Sequence, residues 1–182
     1  MKASALVLTL LVGAALLVWI AIAQAPDGLL HVVFLDIESG QGVLIHTPKG
    51  HVVLIDGGPR PSVILSGLGR HLPFWERTLD AIVCTHAGSN ALLPALEVAR
   101  RYRVISALLP PSDDRPSPAL LRLHQTLKER GAALREAQEG VVLELSDGLR
   151  IEIAAIIDGQ ASLRLSYGQV SVLLPGSTAA LP

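Results

Sequence analysis

A layered α/β fold is the expectation for this 182-residue chain, with hairpins at the start and the end of a sheet framework and helices between them. Three observations lead there. Beyond residue 26, short Val-, Ile- and Leu-rich stretches broken by Gly and Pro come before any helical pattern; strand and helix patterns then alternate; and after Gly131 apolar and polar residues alternate again as an antiparallel meander. Hairpins that precede the helices and recur after them suit a layered α+β sheet rather than a doubly wound nucleotide fold. No glycine-rich phosphate loop occurs, since Gly40, Gly42, Gly57 and Gly58 fall at strand ends.

The first element is apolar. From Ala3 to Ala23 only Ser4 and Thr9 are polar, and as a helix this run covers roughly 30 Å, the thickness of a hydrocarbon core. Lys2 before it and Asp27 after it place the amino terminus in the cytoplasm and the rest outside. A cleaved signal peptide is the alternative, because Ala23-Gln24-Ala25 offers small residues where a signal peptidase reads. The run exceeds the usual signal core, and Trp19 near its outer end suits an interfacial anchor. The chain therefore divides into residues 1–25, anchor or signal peptide, and residues 26–182, the domain. The localisation expected is the cell membrane, single-pass, with the domain on the extracytoplasmic side, or secreted if cleaved.

Within the domain, Leu29–Asp36, Gly42–His46 and His51–Ile55 read as strands, and Thr47-Pro48-Lys49-Gly50 makes a hairpin of the second and third. Val63, Ile64, Leu68 and Leu72 give helical spacing over Pro61–His71. Leu79–Thr85 is a buried strand, Leu92–Tyr102 a helix with arginines in its last turn, and Val104–Leu109 a strand. Ser117–Arg130 is a helix ended by Gly131. Val141–Leu145, Leu149–Ala155, Ser162–Ser166 and Val170–Leu174 form the meander around Asp147-Gly148 and Tyr167-Gly168 turns. Val104–Leu109 and Val170–Leu174 are apolar nearly throughout, which suits burial on both faces.

Composition narrows the function. Half of the residues are apolar and 17% are charged, too greasy for a disordered segment. Fifteen Lys and Arg against sixteen Asp and Glu give a net charge of -1, so nucleic-acid binding by this chain alone is disfavoured. The single Cys84 excludes an internal disulfide and a Cys-rich zinc cluster.

Two strands end in groups that carry chemistry. Val53-Leu54-Ile55-Asp56-Gly57-Gly58-Pro59 closes one on a carboxylate, and Ile82-Val83-Cys84-Thr85-His86 closes another on an imidazole. With Phe34-Leu35-Asp36, Gly40-Gln41-Gly42-Val43-Leu44-Ile45, Ser66 to Trp75 and Leu163 to Gly176, these segments resemble the metallo-β-lactamase-fold domain of ComEC-type competence proteins, the membrane channels that admit one DNA strand. The resemblance implies a metallo-β-lactamase-like αββα sandwich, here incomplete in its second half, preceded by one transmembrane helix. It also implies divalent zinc or manganese, with metal ligands two places beyond the Thr-His, then in an adjacent Asp-His pair. In this chain those places hold Gly88, Asn90 and Ala91, so only His86 remains, a vestige. The bridging carboxylate after the late strand is replaced in Gly176-Ser177, and the early acidic motif reads Asp36-Ile37-Glu38-Ser39-Gly40-Gln41. The expectation is no catalytic residue, no intact metal site and no cofactor. Asp56, Gly57, Gly58, His86, Gly88, Asn90, Ala91, Gly176 and Ser177 are then the vestigial active-site loops, with Asp56 capping backbone N–H groups.

The other polar residues read as solvated. His31, His46, His51, His71 and His124 lack the short spacing of a paired metal site, and Asp113 and Asp114 sit in a Pro/Ser loop. Ser39 and Ser177 have no base nearby in sequence, and Arg100, Arg101 and Arg103 close a helix. The function expected is a membrane-anchored, catalytically silent ComEC-like pseudoenzyme that binds or scaffolds near DNA uptake. The alternative is a residual metal-dependent phosphodiesterase or nuclease with an atypical site. The partners expected are the membrane and either a second copy or a competence-channel protein.

Overall fold

The computed structural model describes residues 2–23, 27–35, 42–111 and 116–176, with side chains of the first helix described over 6–20. Helix α1 (Lys2–Ala23) runs 22 residues, and its described large side chains, Leu6 to Trp19, are exposed. Among the described residues no helix is long and apolar enough to cross a membrane.

Two sheets follow. The first has six strands in the order β1 (His31–Phe34), β2 (Val43–His46), β3 (Val52–Ile55), β4 (Thr78–Val83), β5 (Arg103–Leu109), β6 (Ala133–Glu136). The pairs β1–β2 and β2–β3 are antiparallel, as short hairpins require, while β3 to β6 are parallel because helices connect them. Those helices are α2 (Pro61–His71), α3 (Ser89–Arg101) and α4 (Pro118–Glu129). The second sheet is the meander, in the order β10 (Val170–Leu174), β9 (Gln160–Tyr167), β8 (Arg150–Ile157), β7 (Val142–Glu144).

Side-chain alternation along the strands makes two cores of the first sheet. Leu44, Leu54 and Ile82 pack on Ile64 and Leu68 of α2, Leu92 and Leu96 of α3 and Leu123 and Leu127 of α4. From the opposite face Val43, Ile45, Val53, Ile55, Ala81 and Val83 pack on Ile151, Ile153, Leu163 and Leu165 of the second sheet and on Leu149 in the turn before β8. The layers are thus helices, sheet, sheet. The outer face of the second sheet pairs Arg150 with Ser166 and Glu152 with Arg164, a polar face that tolerates water.

Three readings of the sequence change. Strand β6 is additional; its Ala-Leu-Arg-Glu run carries no β-branched residue, and only its pairing with β5 makes it a strand. Helix α3 starts at Ser89 rather than Leu92, because the N–H groups of Ala91 and Leu92 both close onto the Gly88 carbonyl, at 3.0 and 3.1 Å, which leaves Pro94 inside the helix. Strand β10 is not buried on both faces: it is an edge strand, with Val170 65% and Leu173 49% exposed and only Leu174 in the core.

Candidate functional site

The parallel pairing of β3 and β4 decides where chemistry collects. Val53 lies beside Ala81 and Ile55 beside Val83, so the residues after each strand, Asp56 and Thr85-His86, emerge together. Asp56 N–H donates to the Val83 carbonyl at 2.9 Å, which draws the end of β3 against β4. The carboxylate then reaches across. Asp56 Oδ1 accepts from Thr85 N–H at 2.9 Å and Oδ2 from the Thr85 hydroxyl at 2.6 Å. Asp56 adopts a φ of 50°, a region that Asp tolerates better than most residues, and this aims the side chain at Thr85.

The chain of bonds continues outward. Thr85 Oγ1 lies 3.1 Å from His86 Nδ1, and His86 Nε2 lies 2.9 Å from Asn90 Oδ1 in the first turn of α3. Both imidazole nitrogens are therefore engaged within the protein. Burial pushes the Asp56 carboxyl above its ordinary value, while the two Thr85 bonds and the charge of His86 oppose that rise without cancelling it. Cys84, next along the strand, is buried in the helix-side core, and burial together with the Asp56 charge drives its thiol well up.

The glycines here serve close approach. A Cβ on Gly57 would stand 2.6 Å from Pro94 Cβ, so its absence lets α3 settle against the strand end. A Cβ on Gly88 would stand 2.5 Å from Asn90 Oδ1 and 2.7 Å from His86 Cδ2. Any side chain at position 88 displaces the His86–Asn90 bond. Gly58 takes a φ of 69°, Ala91 is buried in α3, and Gly176 donates to Ser162 Oγ at 3.2 Å while lying against the Ala161 backbone. Ala161 N–H in turn donates to the Thr85 carbonyl at 2.8 Å, so Gly176 is tied to the same end of the sheet. Ser177 lies outside the described residues, as do Asp36, Glu38, Ser39, Asp113 and Asp114.

The likeness of this arrangement to known proteins is structural. No protein-family model matches the sequence, and no curated protein matches it. Among solved structures, the Rm3 metallo-beta-lactamase superposes with a TM-score of 0.55 at 18% identity over 78% of this chain and 56% of its own. The metallo-beta-lactamase fold protein YhfI from Bacillus subtilis gives a TM-score of 0.56 at 16% identity over 78% of this chain and 60% of its own. A subclass B3 metallo-beta-lactamase isolated from a soil metagenome library gives 0.54 at 17% identity, over 78% and 58%. The chain has the metallo-β-lactamase fold. It spans less than two thirds of the length of these structures.

The divalent metals that such a fold implies do not fit the described residues. Among the described residues no three His, Cys, Asp or Glu side chains are grouped where they could hold an ion. His86 spends Nε2 on Asn90, Gly88 has no donor atom, and Ala91 is a buried methyl. One imidazole among such neighbours does not make a three- or four-ligand site.

The structure also joins residues that sequence spacing left apart. His51, read as a solvated histidine, stands at the opposite end of β3, with Nδ1 2.8 Å from Asp80 Oδ1 and Nε2 2.8 Å from Ser146 Oγ. The separations of 29 and 95 residues carry no local motif, so only the sheet pairing and the β7–β8 turn could bring them together.

Proposed function

We propose that this metallo-β-lactamase-fold chain is a membrane-anchored, ComEC-like domain whose metallo-hydrolase site is silent, and that it binds or scaffolds rather than cleaves there. The observation that carries this reading is the closed bond chain Asp56–Thr85–His86–Asn90, with Gly88 and Ala91 supplying no ligand beside it. In this reading the apolar α1 segment holds the domain at the outer side of the cytoplasmic membrane, and a partner or a second copy covers the open edge of the second sheet. The exposed apolar edge of β10, with Val170, Val172 and Leu173, supports such a cover.

Metal analysis of the purified full chain, run beside a nuclease assay, tests the silent site. Less than a tenth of an equivalent, as an order-of-magnitude expectation, of zinc or manganese should co-purify or be retained on dialysis. Metal near one equivalent that is lost in His86→Ala would overturn the reading and favour the residual phosphodiesterase. Protease added to spheroplasts should digest the domain and leave a membrane-bound stub; a soluble protein beginning near Pro26 would show that the segment is cleaved.

A further inference from the structure

We propose that Ser146, His51 and Asp80 form a second, metal-independent site, a Ser–His–Asp arrangement that hydrolyses small activated carboxylic esters. It lies at the amino-terminal ends of β3 and β4, opposite the end that holds Asp56 and His86.

The geometry is that of a nucleophile, a base and an orienting acid in line. Ser146 Oγ is 2.8 Å from His51 Nε2, and His51 Nδ1 is 2.8 Å from Asp80 Oδ1. Asp80 is an acceptor, so Nδ1 carries the proton of the neutral ring and Nε2 is free to accept from the serine hydroxyl. Each member is fixed by the backbone around it. Asp80 Oδ2 accepts from Val52 N–H at 2.8 Å, and the Asp80 carbonyl accepts from the Ser106 hydroxyl at 2.8 Å. His51 N–H donates to Thr47 Oγ1 at 3.0 Å, and Thr47 N–H donates to the His51 carbonyl at 2.9 Å, which pins the imidazole at the β2–β3 turn. Ser146 sits exposed in the tight turn between β7 and β8, where Gly148 N–H closes onto the Leu145 carbonyl at 3.0 Å.

Donors for a developing oxyanion are present at the same turn. Lys49 Nζ donates to the Ser146 carbonyl at 3.2 Å and brings an ammonium group beside the nucleophile. Among the described residues the Ser146 N–H meets no backbone carbonyl, which makes it the backbone donor nearest the nucleophile, while the Asp147 N–H faces its own carboxylate. The open position of Ser146 offers little binding energy to spend on a poor leaving group, which is why the substrate class is the activated ester and not the amide.

In the reaction Ser146 Oγ forms a bond to the acyl carbon while its proton passes to His51 Nε2. Collapse of the tetrahedral species breaks the bond to the leaving oxygen, which takes that proton from His51. Water then adds to the acyl-serine, gives a proton to His51, and the carboxylic acid leaves as Ser146 recovers its hydrogen. Ser146 and His51 are the catalytic residues; Asp80 is a positioning residue acting through His51.

A fluorophosphonate probe on the folded full chain, followed by tryptic mass mapping, tests the site directly. The fragment Glu136–Arg150 contains Ser146 as its one serine, so an adduct there is unambiguous. The probe should modify that fragment in the wild type and spare it in Ser146→Ala and His51→Gln. With p-nitrophenyl acetate, Ser146→Ala and His51→Gln should each lose about 100-fold in turnover, within the usual range for general-base catalysis. Asp80→Asn should lower kcat by about 10-fold or more with KM unchanged, and with the circular dichroism spectrum retained. Serine modification elsewhere, or ester turnover equal in wild type and Ser146→Ala, would overturn the proposal; either result leaves the metal assay at His86 untouched.

Discussion

At the carboxyl ends of β3 and β4 a carboxylate meets a histidine through a threonine hydroxyl, and at the amino ends of the same two strands a carboxylate meets a histidine directly. The two ends use the same kinds of residue and differ in what lies around them. Asp56 is 6% exposed and its oxygens are consumed by Thr85, while His86 is held on its outer side by Asn90, so the whole series is closed on itself. Asp80 and His51 keep 20% and 27% of their side chains exposed, and the outer nitrogen of His51 faces a serine hydroxyl at an exposed turn. A histidine's chemistry is therefore set here by its second nitrogen: an amide neighbour ends the chain, and a hydroxyl neighbour extends it to a nucleophile.

The largest contrast should appear in stability. Asp56→Ala strips the buried Thr85 N–H and hydroxyl of their acceptor and puts alanine at a positive φ, and we expect a loss of about 3 kcal/mol. Asp80→Ala removes bonds of similar length at a site that water reaches, and about 1 kcal/mol is expected there. Denaturant midpoints measure both. Equal losses would show that the two ends are alike and that burial does not separate them.

Packing gives the next effect. Gly57→Ala places a methyl within 2.6 Å of Pro94 Cβ and must push α3 away from the strand end, at a cost of about 2 kcal/mol. At the other end Gly50 takes a φ of 86°, and Gly50→Ala is expected to cost about 1 kcal/mol through backbone strain alone. Thermal unfolding orders the pair, and ester turnover should fall in Gly50→Ala but not in Gly57→Ala, since only the former supports the turn that holds His51.

Acid titration separates the ends by sign. Burial raises the Asp56 carboxyl above 3.8, so the folded protein holds this proton more tightly than the unfolded chain. Its stabilising contribution is complete below 3.8 and is lost as pH rises through the raised value. Asp147, beside His51, is lowered from 3.8: burial works to raise it, but the Thr47 hydroxyl, the Leu149 N–H and the charge of His51 outweigh that. Its contribution is present above 3.8 and is lost as pH falls through the lowered value. Stability-against-pH curves for Asp56→Asn and Asp147→Asn, each subtracted from wild type, should slope in opposite directions in acid, with the Asp147 effect smaller because solvent screens it.

How much of this was legible in the sequence differs between the ends for a physical reason. Asp56 and His86 each close a run of β-branched and apolar residues, so local pattern alone sets them at strand ends, and parallel pairing then brings them together. Helix α2 was equally plain, because Pro61 opens it and apolar spacing sustains it to His71. His51, Asp80 and Ser146 belong to a hairpin turn, a strand interior and a distant turn, and no spacing rule links three elements from two sheets. The misreading of β10 has the same root, since an apolar run states that a strand can be buried and does not state whether the sheet has a neighbour to bury it.

The smallest effect expected, and the sharpest on the role of the second nitrogen, comes from cutting each outer bond alone. Asn90→Ala removes the partner of His86 Nε2 at an exposed residue, and Ser146→Ala removes the partner of His51 Nε2 at an exposed turn. Each should cost well under about 1 kcal/mol, because water replaces the lost partner. Accessibility of the ring nitrogens should change nonetheless. Diethyl pyrocarbonate attacks an unengaged imidazole nitrogen, so carbethoxylation of His86 should quicken severalfold in Asn90→Ala while that of His51 stays at the wild-type rate, and the reverse should hold in Ser146→Ala. The argument is local: the two histidines sit at opposite ends of the same strands and share no hydrogen-bonded side chain. If both histidines quicken in either variant, the two ends are coupled through β3 and β4, and treating them as separate sites is wrong.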